Sequence, residues 1–273
     1  NKAVGDLTFS SVTAYRAFDT FDRIDGDFTN VDVFERTNDA VQTSISQEFR
    51  LSGDIGDKGS FFQVGVYYFG QEIKSITDTN GGSGGTLPPA ATPFPASTFA
   101  HDEIDQDHDA WAVFGQTDIV FSEKLTLTLG ARYTDEKKDI TGIYTQTSAG
   151  PAPDLDAIGL NLFLASQGMA FDFMPLLAVM QPNDGWGGYL FAPLAPRPNL
   201  AASVDDDQFT GTAKLSVFPT DSTMFYASYA SGYKSGGTNT DRISPVFSPI
   251  FGPETSDSIE VGFKGTFDRF RVG

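Results

Sequence analysis

The chain has 273 residues with 25 phenylalanines, no cysteine, and 36 acidic residues against 18 lysines and arginines. Without cysteine it has no disulfide scaffold, no thiolate metal site and no cysteine nucleophile. Its formal net charge of −18 argues against nucleic-acid binding, which requires clustered positive charge.

Both ends of the sequence have the pattern of interrupted strands. The first residues, NKAVGDLTFSS, lack the charged and apolar segments of a signal peptide. The last residues, FDRFRVG, begin a new alternation that stops after a few positions. No stretch reaches the ~18 consecutive apolar residues that a transmembrane helix requires. We therefore expect a fragment of a longer chain, and we exclude a helical membrane protein.

Alternation of apolar and polar residues predicts eight strands and a truncated ninth. Most of them are much longer than the ~5–6 residues of a typical globular strand. Their lengths suit tilted strands that need ~9–11 residues to cross a bilayer. The predicted strands lie at residues 4–18, 40–53, 59–75, 106–122, 124–139, 207–219, 222–235 and 253–267, with the ninth from 270 onward.

The connections between these strands alternate between long and short. This alternation is typical of an antiparallel barrel with tight periplasmic turns and long extracellular loops, and a β-sandwich has no reason to produce it. The long connections run from Asp19 to Asp39, Ile76 to Asp105, Ile140 to Asp206 and Gly236 to Gly252, and the short ones lie at 53–58, 122–124 and 219–222.

The predicted strands separate apolar from polar side chains with a period of two residues. In the strand at 124–139, for example, Leu127 and Leu129 alternate with Thr128 and Arg132. We expect the apolar side chains to face lipid and the polar ones to face the interior of a barrel. The ionisable residues that share the polar parity of their strands are Arg16, Glu48, Arg50, Asp118, Arg132, Lys214, Lys234, Glu260 and Lys264.

Two interpretations of this sorting remain open. A half-exposed soluble sheet also has one polar face. The mixture of Tyr, Phe, Leu, Val, Ala and Gly on the apolar face favours a lipid band edged by aromatic girdles. The fit is imperfect, because Phe114 falls on the polar parity, Thr117 falls on the apolar parity, and the strand at 4–18 is mixed throughout.

Four stretches in the sequence resemble the barrel of TonB-dependent receptors, especially iron-complex receptors of alphaproteobacterial type. They are SISQEFRLSG (44–53), WAVFGQTDIVFSEKLTLTLGARYTDEKKD (111–139), FYASYASGYKSGGTN (225–239) and FGPETSDSIEVGFKGTF (251–267). The resemblance implies an all-β fold, an antiparallel transmembrane β-barrel of the bacterial outer membrane. The fragment of about nine long strands would then belong to a plugged barrel of ~22 strands.

On this resemblance, residues 1–273 form part of a single barrel domain. The plug domain, its TonB-contacting segment and the terminal strands would lie in sequence outside this chain. The remaining strands must be supplied there, because unpaired strand edges are not tolerated in lipid.

The resemblance implies active import of a scarce nutrient, most often a ferric siderophore, with cobalamin or an oligosaccharide as other cargo. The ligand site would lie at the outer mouth and TonB would drive uptake. Two alternatives remain: a barrel that acts as a structural or docking component of an outer-membrane protein assembly, and a passive porin. A plug encoded upstream of Asn1 would favour import over both alternatives.

The connection between Ile140 and Asp206 is the candidate ligand site. Structureless loops above ~12–15 residues are uncommon unless they are functional or disordered. This one is rich in Leu, Phe and Met. It could form an apolar lid over a ligand or a surface for a partner protein. Alternatively, these side chains pack together as a small extracellular core. The candidate ligand-binding residues are Phe171, Phe173, Trp186 and Tyr189.

The stretch HDEIDQDHD (101–109) is a second candidate site, placed just before a predicted strand. His101, Asp102 and His108 are candidate ligands for a metal ion. A solvated acidic rim of the barrel is the simpler interpretation, because the stretch lacks the loop-closing glycine of a calcium site. The run from Asp205 to Asp207 has two interpretations too: a calcium-assisted contact with lipopolysaccharide phosphates, or a polar start to a strand.

No pattern in the sequence supports catalysis or a bound cofactor. The two histidines both lie in the acidic stretch, and no serine-centred elbow accompanies them. The glycine-rich GGSGG (81–85) lacks the lysine of a phosphate-binding loop. We expect a protein that is not an enzyme and that meets lipid, lipopolysaccharide and a small-molecule or metal-chelate ligand.

Overall fold

The computed structural model describes residues 2–4, 7–25, 34–81, 99–147, 197–241, 247–267 and 270–272. Ten strands form one antiparallel sheet in which nearly every strand pairs with its neighbours in sequence. Two further short strands, Gly237–Thr238 and Ile250–Phe251, pair with each other. The strands Lys2–Val4 and Phe270–Val272 form the edges, so the described sheet is not closed. The described residues contain no helix long and apolar enough to cross a membrane.

The long strands confirm the all-β prediction. Antiparallel neighbours that follow one another in sequence are what a chain of hairpins produces. The strands are β1 (Lys2–Val4), β2 (Leu7–Asp25), β3 (Phe34–Ile55), β4 (Ser60–Gly81), β5 (Phe99–Ser122), β6 (Leu125–Thr147), β7 (Leu200–Thr220), β8 (Thr223–Lys234), β9 (Gly237–Thr238), β10 (Ile250–Phe251), β11 (Glu254–Phe267) and β12 (Phe270–Val272).

Short and long connections alternate as predicted, so all short turns lie at one end of the sheet and all long connections at the other. We call these the short-turn end and the long-connection end. At the short-turn end, residues 56–59 join β3 to β4, and Gly56 and Gly59 have φ angles of 64° and 79°. Glycine adopts such angles without the steric cost that a Cβ atom imposes. Two-residue turns join β5 to β6 and β7 to β8.

Two details of the strand prediction were wrong. The segment 4–18 is not one strand, because Val4 pairs with Leu7 across a tight hairpin between β1 and β2. Several strands also extend further toward the long-connection end than predicted. The acidic stretch 101–109 therefore lies inside β5 and not before it. The alternation was hard to read there because charged residues occupy both faces.

The register confirms that the strands have one apolar and one polar face. In one row of directly paired residues on the polar face, Asp118 pairs with Thr128, Thr128 with Lys214, and Lys214 with Ser228. Side chains on the other face are large, apolar and exposed, such as Val66 at 47% and Val113 at 49%. A wide exposed apolar surface of this kind implies an apolar environment.

The two residues that broke the alternation have physical explanations. Thr117 lies on the apolar face, and its hydroxyl donates a hydrogen bond to the carbonyl of Phe61 at 2.9 Å. Its polar group is therefore satisfied by backbone. Phe114 lies on the polar face, beneath the guanidinium of Arg132, whose Cζ is 5.8 Å from the ring centroid. The Phe114 ring fits there because residue 65 is a glycine. A Cβ atom at Gly65 would lie 2.5 Å from the Phe114 Cζ and would clash with the ring.

Candidate functional site

A polar cluster occupies the polar face at the long-connection end, and we call it the mouth cluster: His108, Glu136, Lys138, Asp206 and Ser235. Strands β5, β6 and β7 supply the first four. His108 pairs directly with Lys138, and Glu136 pairs with Asp206. Because a strand projects alternate side chains to one face, residues at even positions of these three strands converge here.

His108 and Glu136 form the most enclosed pair of the mouth cluster. The His108 Nε2 lies 2.8 Å from the Glu136 Oε2, and both side chains are largely buried, at 14% and 11% exposure. The imidazole ring packs nearly perpendicular to the Phe69 ring, with ring centroids 5.4 Å apart. Burial opposes ionisation of Glu136, but the hydrogen bond with His108 and the neighbouring polar groups, including the Lys138 ammonium, outweigh it and hold the pKa of Glu136 below its ordinary value.

Lys138 and Asp206 bind the chain that follows β8. The Lys138 ammonium donates to the hydroxyl of Ser235 and to the carbonyl of Gly236, the latter at 2.7 Å. The Asp206 carboxylate accepts a hydrogen bond from the backbone N–H of Gly236 at 2.6 Å. These charges therefore hold a backbone segment against the polar face. Sequence reasoning did not single out Lys138, and it considered Asp206 only as part of the acidic run, although the parity of both residues relative to Arg132 and Lys214 would have placed them on this face.

Nearer the short-turn end, cations on the polar face lie beside aromatic rings. The Arg132 Cζ is 5.6 Å from the centroid of the Tyr67 ring. The ammonium groups of Lys214 and Lys264 lie 5.0 and 5.6 Å from the centroid of the Tyr226 ring. The Tyr226 hydroxyl donates to Glu260. This part of the face presents both charge signs and aromatic surface, which suits contact with another polar protein surface.

The structure does not bring the three candidate metal ligands together. His108 and Asp102 lie on the polar face, whereas His101 lies on the opposite face and pairs with Asp78. The His101 Nδ1 is 2.5 Å from Asp78 and its Nε2 is 2.9 Å from Glu103. Within the described ranges, no three His, Asp or Glu side chains are arranged to hold a metal ion.

The two carboxylates beside His101 determine its ionisation. The hydrogen bond with Asp78 raises the pKa of His101, burial opposes this, and the hydrogen bond with Glu103 adds to the increase. His101 is therefore held toward its charged form. It forms an ion-pair site at the long-connection end and does not leave a ring nitrogen free for a metal.

The apolar face ends in aromatic residues on four neighbouring strands, beyond which charged residues begin. Trp111 and Tyr133 pack with ring centroids 5.6 Å apart, and the Tyr68 hydroxyl donates to Asp109 at 2.7 Å. Aromatic side chains with a polar tip are typical of the boundary between an apolar medium and water. The boundary residues are Tyr68, Trp111, Tyr133 and Phe209, and the acidic residues directly beyond them are Asp109, Asp135 and Asp207.

This boundary separates the Asp205–Asp207 run into two environments. Asp205 and Asp207 lie on the apolar-face side beyond the aromatic boundary, and Asp206 lies in the mouth cluster. Asp207 pairs directly with Asp135, an arrangement of like charges that disfavours close pairing. The candidate ligand-binding residues Phe171, Phe173, Trp186 and Tyr189 lie outside the described residues.

Comparisons with known proteins agree with this architecture. A family model described as TonB dependent receptor-like, beta-barrel matches residues 3–273. Among solved structures, the chain is similar to the ferric yersiniabactin uptake receptor FyuA from Yersinia pestis, with a TM-score of 0.66 and 14% sequence identity. The match covers 97% of this chain and 32% of that receptor, so the chain spans about a third of its length. A comparison with curated proteins finds no match.

Proposed function

Because this chain belongs to the TonB-dependent receptor β-barrel family, we propose that the whole protein imports a scarce nutrient across the bacterial outer membrane. Proteins of this family are outer-membrane transport receptors rather than enzymes. The proposed cargo is a ferric siderophore, and the proposed energy source is contact with TonB. That contact would be made by a plug domain encoded outside this chain. The plug would fill the interior of the barrel, and further strands outside this chain would complete its wall.

The sorting of charge between the two faces is the observation that carries this proposal. The apolar face, bounded by Tyr68, Trp111 and Tyr133, suits contact with lipid over its full width. The polar face, with Arg132 and Lys214, suits contact with a plug. A passive porin would need an open channel along this face, whereas rows of paired charge and aromatic rings fit a filled interior better.

We propose that the ligand binds at the long-connection end. The mouth cluster supplies polar groups on the barrel wall there. Phe171, Phe173, Trp186 and Tyr189 would supply the apolar part of the site as a lid, since exposed apolar side chains in a long loop are usually used for binding. Lipopolysaccharide would contact the acidic residues beyond the aromatic boundary through divalent cations. A partner protein on the same loop is the alternative occupant.

Deleting residues 155–195 from the full-length receptor tests the proposed ligand site. Strands β6 and β7 pair without the loop, from Leu125 opposite Val217 to Gly142 opposite Leu200, and loop closure entropy changes by only about 0.6 kcal/mol per doubling of loop length. The barrel should therefore fold without the loop. Uptake of radiolabelled iron, supplied as a panel of ferric siderophores to iron-starved cells that lack other receptors, should fall strongly.

The outcomes of this deletion separate the candidate functions. A docking component predicts unchanged uptake and loss of a partner that otherwise co-purifies from native membranes. If neither uptake nor partners change, the apolar side chains of the loop only pack against one another. A receptor that imports none of the ferric complexes, with or without the loop, would contradict the proposed cargo.

A further inference from the structure

A short segment after β8 crosses the polar face at the long-connection end, and we call residues 235–241 the strap. Its middle part is β9, which pairs with β10, and the Asn239 N–H donates to the Pro249 carbonyl at 2.7 Å. Lys138 of β6 and Asp206 of β7 bind its beginning at Gly236. The strap is therefore fixed at its start to two strands of the wall.

The other end of the strap contacts β6 again and also the distant strand β3. The Thr240 carbonyl accepts a hydrogen bond from the Tyr144 hydroxyl of β6 at 2.7 Å. The Asp241 carboxylate lies 3.6 Å from the guanidinium of Arg36, which belongs to β3. Strands β4 to β7 separate β3 from β8 in the sheet. The strap thus extends across the polar face from its contacts with β6 and β7 to β3.

Arg197 joins this strap to a second connection. Its guanidinium donates to three consecutive strap carbonyls: to Asn239 at 3.1 Å, to Thr240 at 2.9 Å, and to Asp241. Its Cζ also lies 4.3 Å from the centroid of the Tyr144 ring. Arg197 precedes β7 by only three residues, at the end of the connection from β6. Two connections therefore meet at one side chain.

We propose that Arg197 couples the strap to the chain that leads into β7, so that both approach or leave the polar face as one unit. The planar guanidinium presents five donors in a fixed fork, and it satisfies three carbonyls at once. A lysine ammonium at this position lacks that fork. Tyr144 is 7% exposed and provides the stacking surface that orients the guanidinium. This coupling is independent of the identity of any imported ligand.

Distances between spin labels in the full-length receptor, reconstituted in lipid bilayers, test the proposal. One label replaces Thr240 in the strap and the other replaces Asp57 in a short turn, in a cysteine-free background. The wild-type background should give one narrow distance distribution. Arg197→Ala and Arg197→Lys should both broaden it or shift its mean. Arg23→Ala is the matched control, because it removes an arginine that forms an ion pair with Glu35 at the same end of the barrel, away from the strap contacts of Arg197.

Two further variants complete the test. One perturbs the strap without the risk that the barrel misfolds, and the other measures whether the strap and the chain before β7 move together. Tyr144→Phe removes only the hydroxyl that binds Thr240, so it should loosen the strap in a folded barrel. Lys138→Met releases the opposite end of the strap. With a label at Pro198 in place of Thr240, Lys138→Met should shift the distance to Asp57 when Arg197 is present and not in the Arg197→Ala background.

Either of two results would overturn the coupling. The first is an unchanged strap distance in both Arg197→Ala and Tyr144→Phe. The second is a strap that moves in Lys138→Met while the label at Pro198 keeps its wild-type distance. Because neither measurement involves a cargo, failure of the proposed import would leave this test intact.

Discussion

Side chains on the two faces of one strand lie in different environments, one apolar and one polar. Leu127 and Thr128 are neighbours in β6, yet Leu127 pairs with Ile119 and Leu215 on the apolar face, and Thr128 donates to Asp118 on the polar face at 2.6 Å. Because the two residues lie at nearly the same depth in the membrane, a difference in the stability cost of the same substitution at each position reports the face alone.

An arginine introduced on each face should reveal this difference. Leu127→Arg or Val261→Arg should reduce the free energy of unfolding from bilayers by roughly 2–4 kcal/mol if the position lies near the midplane. Thr128→Arg should cost far less, because its charge would point into the polar interior. Denaturant titration of the refolded receptor measures both. Equal costs on the two faces would mean that the faces are assigned wrongly.

The pair of carboxylates around His101 leads to a pH dependence of stability. Because Asp78 and Glu103 raise the pKa of His101 in the folded state, the charged form stabilises the fold. This contribution is fully present below the ordinary pKa of 6.5 and is lost as pH rises through the higher folded value. Thermal unfolding measured on both sides of that window should show a loss of stability that His101→Gln removes. A variant with the same pH profile as wild type would contradict this assignment.

The strands themselves were predictable where one face meets a single environment. In β6, alternation assigned the side chains from Leu125 to Tyr133 to the correct faces, because lipid contact and interior contact select different side chains. Beyond the aromatic boundary, charged side chains occur on both faces of the strands, so alternation between charged and apolar residues disappears. The first residues of β5 and β7 were therefore missed. The hairpin between Val4 and Leu7 was missed because three residues are too few to establish a period.

The candidate site was less predictable, for a physical reason. Parity alone would have placed Glu136, Lys138 and Asp206 on the polar face, so the mouth cluster was within reach of the sequence. The contacts of Arg197 were not, because they join residues far apart in the chain and involve backbone carbonyls, which no side-chain pattern marks. The three candidate metal ligands do not converge, because His101 and Asp102 are adjacent in a strand and adjacent residues face opposite ways.

Orientation is a property of the connections, and cysteine labelling tests it. In a cysteine-free full-length receptor, cysteines that replace Gly84 and Ser148 should react with an impermeant thiol reagent on intact cells, since both positions belong to long connections. A cysteine that replaces Asp57, in the short turn between β3 and β4, should react only after the outer membrane is opened. Labelling on intact cells only at position 57 would show that the assigned orientation is inverted and that the mouth cluster lies on the periplasmic side.

At the scale of the whole molecule, ten described strands leave two open edges, β1 and β12. Unpaired backbone groups cost several kcal/mol each in lipid, so we propose that further strands outside this chain complete the wall in the membrane. The match to about a third of a solved receptor is consistent with a larger barrel of which these strands form a part. A polar face of charged and aromatic residues would then enclose a plug, and the connections at the other end would form the surface that meets a ligand.

The most direct test of this account is the energy dependence of transport. Uptake of radiolabelled iron from the ferric complex that the full-length receptor accepts should be compared in otherwise identical cells with and without TonB. The account predicts that uptake is lost without TonB while binding of the complex to the cell surface remains. Uptake that continues unchanged without TonB would contradict it and would favour passive diffusion through the barrel.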